Sequence, residues 1–174
     1  MAVVWDDRVR ACPRVGQSVR RWPEGGTGGG RDRHLRGSVV EVRRVNDRLM
    51  TIKLVVGECT LNVVSAYVPQ AGLDKEIKRH FWEGLDEIVR SIPPVERLFI
   101  GGDFNGHIAS SASGYTEVHG GFGFGERNGG GTSLLYFAKE FEQVIANSSF
   151  PKREEHLVTF KSSVARTQIN YLLM

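Results

Sequence analysis

The chain has 174 residues, 40% of them apolar and 25% charged, with a formal net charge of +3. That composition describes one soluble globular domain and excludes a disordered, collagen-like or disulfide-scaffold protein; no apolar run is long enough to span a bilayer. The slight basic excess suits a polyanionic partner without identifying one.

Residues 1–36 differ from everything after them. Pro13, Pro23, the run Gly25-Gly26-Thr27-Gly28-Gly29-Gly30 and eight arginines, Arg8, Arg10, Arg14, Arg20, Arg21, Arg31, Arg33 and Arg36, leave little to bury. The segment reads as a disordered Arg/Gly-rich arm, either a plain tail or a contact for nucleic acid phosphates. Asp6, Asp7 and Arg8 stand where a signal peptide needs its apolar stretch. Cys12 and Cys59 have no metal-type spacing and fit a reducing compartment better than a disulfide framework. The expected setting is intracellular, nucleus or cytoplasm.

From residue 37 onward a folded domain is expected. Val39, Val40, Val42 and Val45 predict a strand ended by the turn Asn46-Asp47. Leu49 to Val56 alternates with period two, Gly57-Glu58 makes a hairpin connection, and Cys59 to Val68 returns. This third strand becomes apolar on both faces, which predicts a central position covered on both sides. The spacing of Ile77, Phe81, Leu85, Ile88 and Ile92 predicts a helix from Asp74, its N-cap, to the Pro93-Pro94 stop. Arg97 to Phe104 follows as a strand, giving a strand–helix–strand unit.

Residues 105–132 read as a long glycine-rich loop, and Thr132 or Ser133 as the cap of a helix bearing Leu134, Leu135, Ala138, Phe141, Val144 and Ile145. Asn147 to Phe150, Leu157 to Phe160 and Gln168 to Met174 read as three short strands. The chain stops inside the last, which suggests that more normally follows.

The segment Leu98-Phe99-Ile100-Gly101-Gly102-Asp103-Phe104-Asn105-Gly106 is the most informative. An apolar strand breaks at a glycine pair, which admits close backbone neighbours, and presents a carboxylate and a carboxamide at its carboxyl end, where open α/β sheets bind ligands. Either these side chains only bond their own turn, or they serve chemistry. Tyr67, before Pro69, and Asn170 with Tyr171 also sit at strand ends. If those strands are neighbours, a carboxylate that takes a proton, an amide that holds a phosphate oxygen and a phenol that donates to it converge on one rim. Taken singly, Tyr67 fits a core tyrosine and Asn170 a strand-edge polar residue equally well. His107 follows as a phosphate contact or a loop anchor, while His119 and His156 are too scattered for a metal set.

Ser65-Ala66-Tyr67-Val68-Pro69, Gly101-Gly102-Asp103-Phe104-Asn105 and Gln168-Ile169-Asn170-Tyr171 resemble, in order, motifs of the endonuclease/exonuclease/phosphatase superfamily. Its members include abasic-site endonucleases, DNase I-like enzymes and the endonuclease domains of non-LTR retrotransposons. Arg44 to Met50, the Gly120 to Gly125 loop and Arg153 to Phe160 look like the plant craniofacial-development-protein-2-like group. The likeness covers about residues 35 to 174.

The resemblance implies a four-layered α/β sandwich of two mixed β-sheets flanked by helices, here truncated at both ends. It implies that Asp103 orients or deprotonates the attacking water, that Asn105 holds phosphate and lies near a metal with Asp103, and that Tyr67 contacts the substrate phosphate. Asn170 stands where the family usually carries an aspartate that orients a downstream histidine, and no glutamate motif is found upstream of Val39. The expected function is therefore an Mg²⁺-dependent (or Mn²⁺-dependent) phosphodiester hydrolase acting on nucleic acid, DNA ahead of RNA, with weak metal binding and impaired turnover. The alternative is an inactive retrotransposon-derived remnant that binds nucleic acid or a protein partner. No membrane association and no specific protein partner are expected.

Overall fold

A computed structural model of the chain describes residues 37–163 and 165–174. The arm expected over residues 1–36 lies outside the described residues.

Three strands run antiparallel in sequence order: β1 (Val39–Arg44), β2 (Leu49–Val56) and β3 (Cys59–Tyr67). Helix α1 (Lys75–Ser91) crosses over, and β4 (Arg97–Asp103) pairs parallel with β3. The last strand, β7 (Asn170–Leu173), adds antiparallel to β4, so the sheet order is β1-β2-β3-β4-β7. Between β4 and β7 lie α2 (Gly129–Glu140), a 3₁₀ turn (Ala146–Ser148), the single-turn α3 (Glu154–Leu157) and a two-stranded ribbon of β5 (Phe160–Lys161) and β6 (Arg166–Thr167). This is the α/β class that the resemblance implied, a mixed sheet with helices and a second, small sheet.

Alternation in the strands decides which face is buried. Val64, Ala66 and Val68 of the β3 segment, Ile100 and Phe104 around β4, and Tyr171 and Leu173 of β7 point into one core. Against them pack Phe81, Leu85 and Ile88 of α1 and Leu134, Leu135 and Ala138 of α2. The α1 stripe recurs every three or four residues, so one helical face meets the sheet. Asp74 caps the helix by accepting from the Glu76 N–H, and Ile92 closes it before the prolines. Ile77, counted in the predicted stripe, is exposed. It stands in the first turn, ahead of the buried residues Phe81, Leu85 and Ile88.

The expectation that β3 is covered on both sides does not hold. It is central, but Ser65 and Tyr67, on the face opposite the helices, are exposed.

Helix α2 starts earlier than the glycines suggested. Asn128 is its N-cap, accepting from the Gly131 N–H at 2.9 Å, and Gly129 to Gly131 form the first turn instead of loop. The helix also ends sooner, at Glu140, with Val144 and Ile145 beyond it. Residues 147–150 form no strand, because Ser148 and Ser149 hydroxyls bond back to the Ile145 carbonyl and wind the chain into a 3₁₀ turn. Leu157 ends α3, which leaves only Phe160–Lys161 as a strand in the next segment.

At the sheet end away from Asp103, Glu96 ties the start of β4 to its neighbours. It accepts from Lys53 Nζ at 2.8 Å and from Asn62 Nδ2 at 2.7 Å. The Lys53 ammonium bonded to it, helped by the Asn62 amide, holds its carboxyl below the usual range.

Candidate functional site

The strand register brings together three of the residues singled out from the sequence. Tyr67 is the partner of Asp103 across β3–β4, and Asp103 is the partner of Asn170 across β4–β7. Register partners project from the same face of a pleated sheet. Their neighbours Ala66, Gly102 and Tyr171 form the next row, and Ala66 and Tyr171 are buried in the core. The row Tyr67–Asp103–Asn170 therefore lies on the face away from the helices, at the carboxyl end of β4. Strand spacing puts neighbouring members about 5 Å apart at the backbone.

Asp103 and Asn105 are fixed by the turn they share. The Asn105 N–H donates to Asp103 Oδ1 at 2.9 Å, and Asn105 Nδ2 donates to the Val68 carbonyl at 2.7 Å. The Val68 N–H in turn donates to the Asp103 carbonyl at 2.8 Å. Asn105 holds φ +46°, the left-handed region that asparagine tolerates better than most residues. Between them Phe104 is fully buried, with its ring 6.2 Å from that of Tyr171. These bonds are those of the turn reading. The turn uses one carboxylate oxygen and the amide nitrogen, and among the described residues Asp103 Oδ2 and Asn105 Oδ1 accept no hydrogen bond.

The glycine pair divides its roles. At Gly102 a Cβ would run into the Ala66 carbonyl, whereas at Gly101 it would meet only Leu172 Cδ1, at an ordinary 3.6 Å. Close approach of β3 to β4 needs the second glycine alone. Past Asn105, Gly106 lies against the Gly130 backbone and Gly131 against the His107 backbone, with no room for a Cβ at either. The glycines of α2 let its first turn seat directly on the loop that leaves Asp103. Asn128 Oδ1 secures that seat by accepting also from the His107 N–H at 3.0 Å.

His107 is held by its backbone in this seat and is not a member of the row. His119 is buried inside the long loop. The Gly121 N–H donates to its Nδ1 at 2.9 Å and its Nε2 lies 3.1 Å from the Ala109 carbonyl, which makes it a neutral structural histidine; burial lowers its pKa. Asn170 is exposed, and its N–H and that of Ile169 donate to Thr159 Oγ1. Tyr171 turns into the core, donates to the Gln168 carbonyl at 2.7 Å and has its phenol pushed up by burial.

Sequence reasoning passed over Arg48. The Tyr67 N–H donates to the Arg48 carbonyl at 2.9 Å, so Arg48 extends the row by one strand, and its guanidinium carbon lies 5.3 Å from the centre of the Tyr67 ring.

Among the described residues no group of three or more His, Cys, Asp or Glu side chains is placed to hold a metal ion. The rim supplies one carboxylate oxygen and one amide oxygen, which fits a hard cation shared with a bound phosphate and not a cation caged by protein alone.

No family model matches the chain. Craniofacial development protein 2 of Bos taurus is 27% identical to it over 144 residues, 82% of this chain and 24% of that protein. The same-named protein of Tragulus javanicus is 26% identical over 144 residues, with 82% and 25% covered. The chain therefore spans about a quarter of the length of these curated relatives. Among solved structures, the endonuclease domain of TRAS1, a telomere-specific non-LTR retrotransposon, superposes with a TM-score of 0.53 at 16% identity, over 76% of this chain and 52% of that one. That likeness is one of fold. Among the described residues no helix is long and apolar enough to cross a membrane.

Proposed function

We propose, from the sequence likeness to craniofacial development protein 2 and the fold likeness to a retrotransposon endonuclease domain, that the chain is related to the DNase I-like endonuclease/exonuclease/phosphatase proteins and that residues 37–174 form part of a phosphodiester-hydrolysing domain that engages nucleic acid at the Tyr67–Asp103–Asn170 rim. The observation that carries this reading is the register itself. A phenol, a carboxylate and an amide from three separate strands lie in one transverse row at the carboxyl end of β4, and such a trio has the donors and the base that a phosphate diester needs.

In this reading Asp103 accepts the proton of the attacking water through Oδ2, its orientation set by the bond from Asn105 to Oδ1. Tyr67, 44% exposed, donates to a non-bridging phosphate oxygen. Asp103 and Asn105 would hold Mg²⁺, which would supply charge stabilisation at the phosphate. With one carboxylate contributed by the described residues, the ion is bound weakly and turnover is slow. Asn170 adds to that, since an amide neither accepts a proton nor stabilises an imidazolium as an aspartate does.

The test is nicking of supercoiled plasmid in Mg²⁺ by the chain and by Asp103→Ala. Slow nicking that disappears in the variant supports hydrolysis. Nicking of equal rate in both rules out Asp103 as the base. A second reading, binding without turnover, is favoured by the lack of a three-carboxylate cluster among the described residues. It predicts DNA binding with no nicking by either protein.

A further inference from the structure

We infer that Arg48, stacked on Tyr67, forms a second phosphate-binding position on the rim, one that grips the backbone phosphate beside the one Asp103 acts on. The inference rests on the nucleic-acid reading above and extends it to a group that neither the sequence motifs nor the comparisons assign.

Arg48 lies directly across from Tyr67 in the antiparallel β2–β3 pair, and Tyr67 is the register partner of Asp103. Arg48 is thus two strand spacings, about 10 Å, from Asp103 at the backbone. That separation lets its guanidinium serve a phosphate next to the one at Asp103. The Tyr67 ring lies 5.3 Å from its guanidinium carbon to the centroid and steadies the side chain, which keeps 23% of its surface exposed.

The backbone under Arg48 is also fixed. Asn46 Oδ1 accepts from the Arg48 N–H at 2.8 Å and from the Leu49 N–H at 2.9 Å, which locks the β1–β2 turn. Arg79 and Arg90 are neutralised at close range, Arg79 by Glu76 and Glu83 and Arg90 by Asp86 at 2.7 Å. Among the described residues Arg48 has one long ion pair, 3.8 Å to Asp47, whose side chain is 76% exposed. Such a pair contributes little and yields readily to a phosphate, which offers a guanidinium two parallel acceptors.

The test uses the full chain with EDTA, so that cleavage does not interfere, and a fluorescent double-stranded DNA oligonucleotide followed by anisotropy from 50 to 200 mM salt. Arg48→Ala is expected to weaken binding about tenfold and to lower the slope of log affinity against log salt by about 0.9, the value for one phosphate contact. Arg48→Lys keeps the slope. Arg79→Ala, which removes the same charge from α1, leaves both affinity and slope unchanged. If Arg48→Ala lowers the melting temperature, Arg48→Gln provides the same readout with the Tyr67 contact area retained. Equal affinity and slope for the parent and the Arg48 variants overturns the assignment while leaving the nucleic-acid reading intact. No binding by the parent overturns both.

Discussion

The side-chain amide of Asn105 donates to the backbone carbonyl of Val68 at 2.7 Å, tying the loop that leaves β4 to the end of β3. The bond spans 37 residues of sequence and closes the turn in which the Asp103 carboxylate is aimed. Asn105 is therefore as much a structural clasp as a candidate ligand for phosphate.

Replacing Asn105 separates these contributions. Asn105→Ala loses the bond to Val68 and also places a Cβ-bearing residue without a local partner at φ +46°. The expected cost is about 2 kcal/mol. Asn105→Gly relieves the backbone and loses only the bond, at about 1 kcal/mol. Urea denaturation of both variants should rank glycine above alanine. The opposite order would mean that the left-handed turn is not what limits this position.

The glycine pair gives a sharper contrast. Gly102→Ala forces a methyl into the Ala66 carbonyl across a parallel strand pair in the middle of the sheet, and a backbone neighbour cannot rotate away. The variant is expected to lose about 3 kcal/mol or more, or to fail to fold. Gly101→Ala meets a flexible leucine end at 3.6 Å and should stay within about 1 kcal/mol of the parent. Thermal melts of the two variants check this directly.

His119 predicts a pH dependence. Its Nδ1 accepts a bond and its buried ring favours the neutral form, so its pKa is lowered in the fold from the ordinary 6.5. As pH falls through that ordinary value, the unfolded chain takes up the proton before the folded one. Stability contributed by His119 is then full above about pH 7 and is lost progressively below 6.5. His119→Gln can accept from Gly121 and donate to Ala109 without titrating. The drop in urea midpoint between pH 7.5 and 5.5 should therefore be smaller in His119→Gln than in the parent. An equal drop would assign the acid sensitivity elsewhere.

Much of the fold was legible because it rests on local pattern. Period-two alternation gave β2 and β3, the three- and four-residue stripe gave α1, and Asp74 with Pro93-Pro94 bounded it. The errors fell where a distant contact overrides local preference. Gly129 to Gly131 look like loop in isolation, yet they form a helical turn, and at Gly131 the His107 backbone lies where a side chain would be. Ser148 and Ser149 turned a predicted strand into a 3₁₀ turn through hydroxyl bonds that hydrophobic periodicity does not register.

The amino-acid order by itself determined the antiparallel register of β2 and β3, since counting outward from the Gly57-Glu58 hairpin sets each residue against its partner and brings Arg48 opposite Tyr67. It also determined that Asp103 would sit at the carboxyl end of a strand. Only the tertiary structure decided that Tyr67, Asp103 and Asn170 share one row. A hairpin has its register fixed by the short turn that closes it, whereas strands joined by a helix or by a long loop can slide by a residue until the packing of their faces selects one alignment.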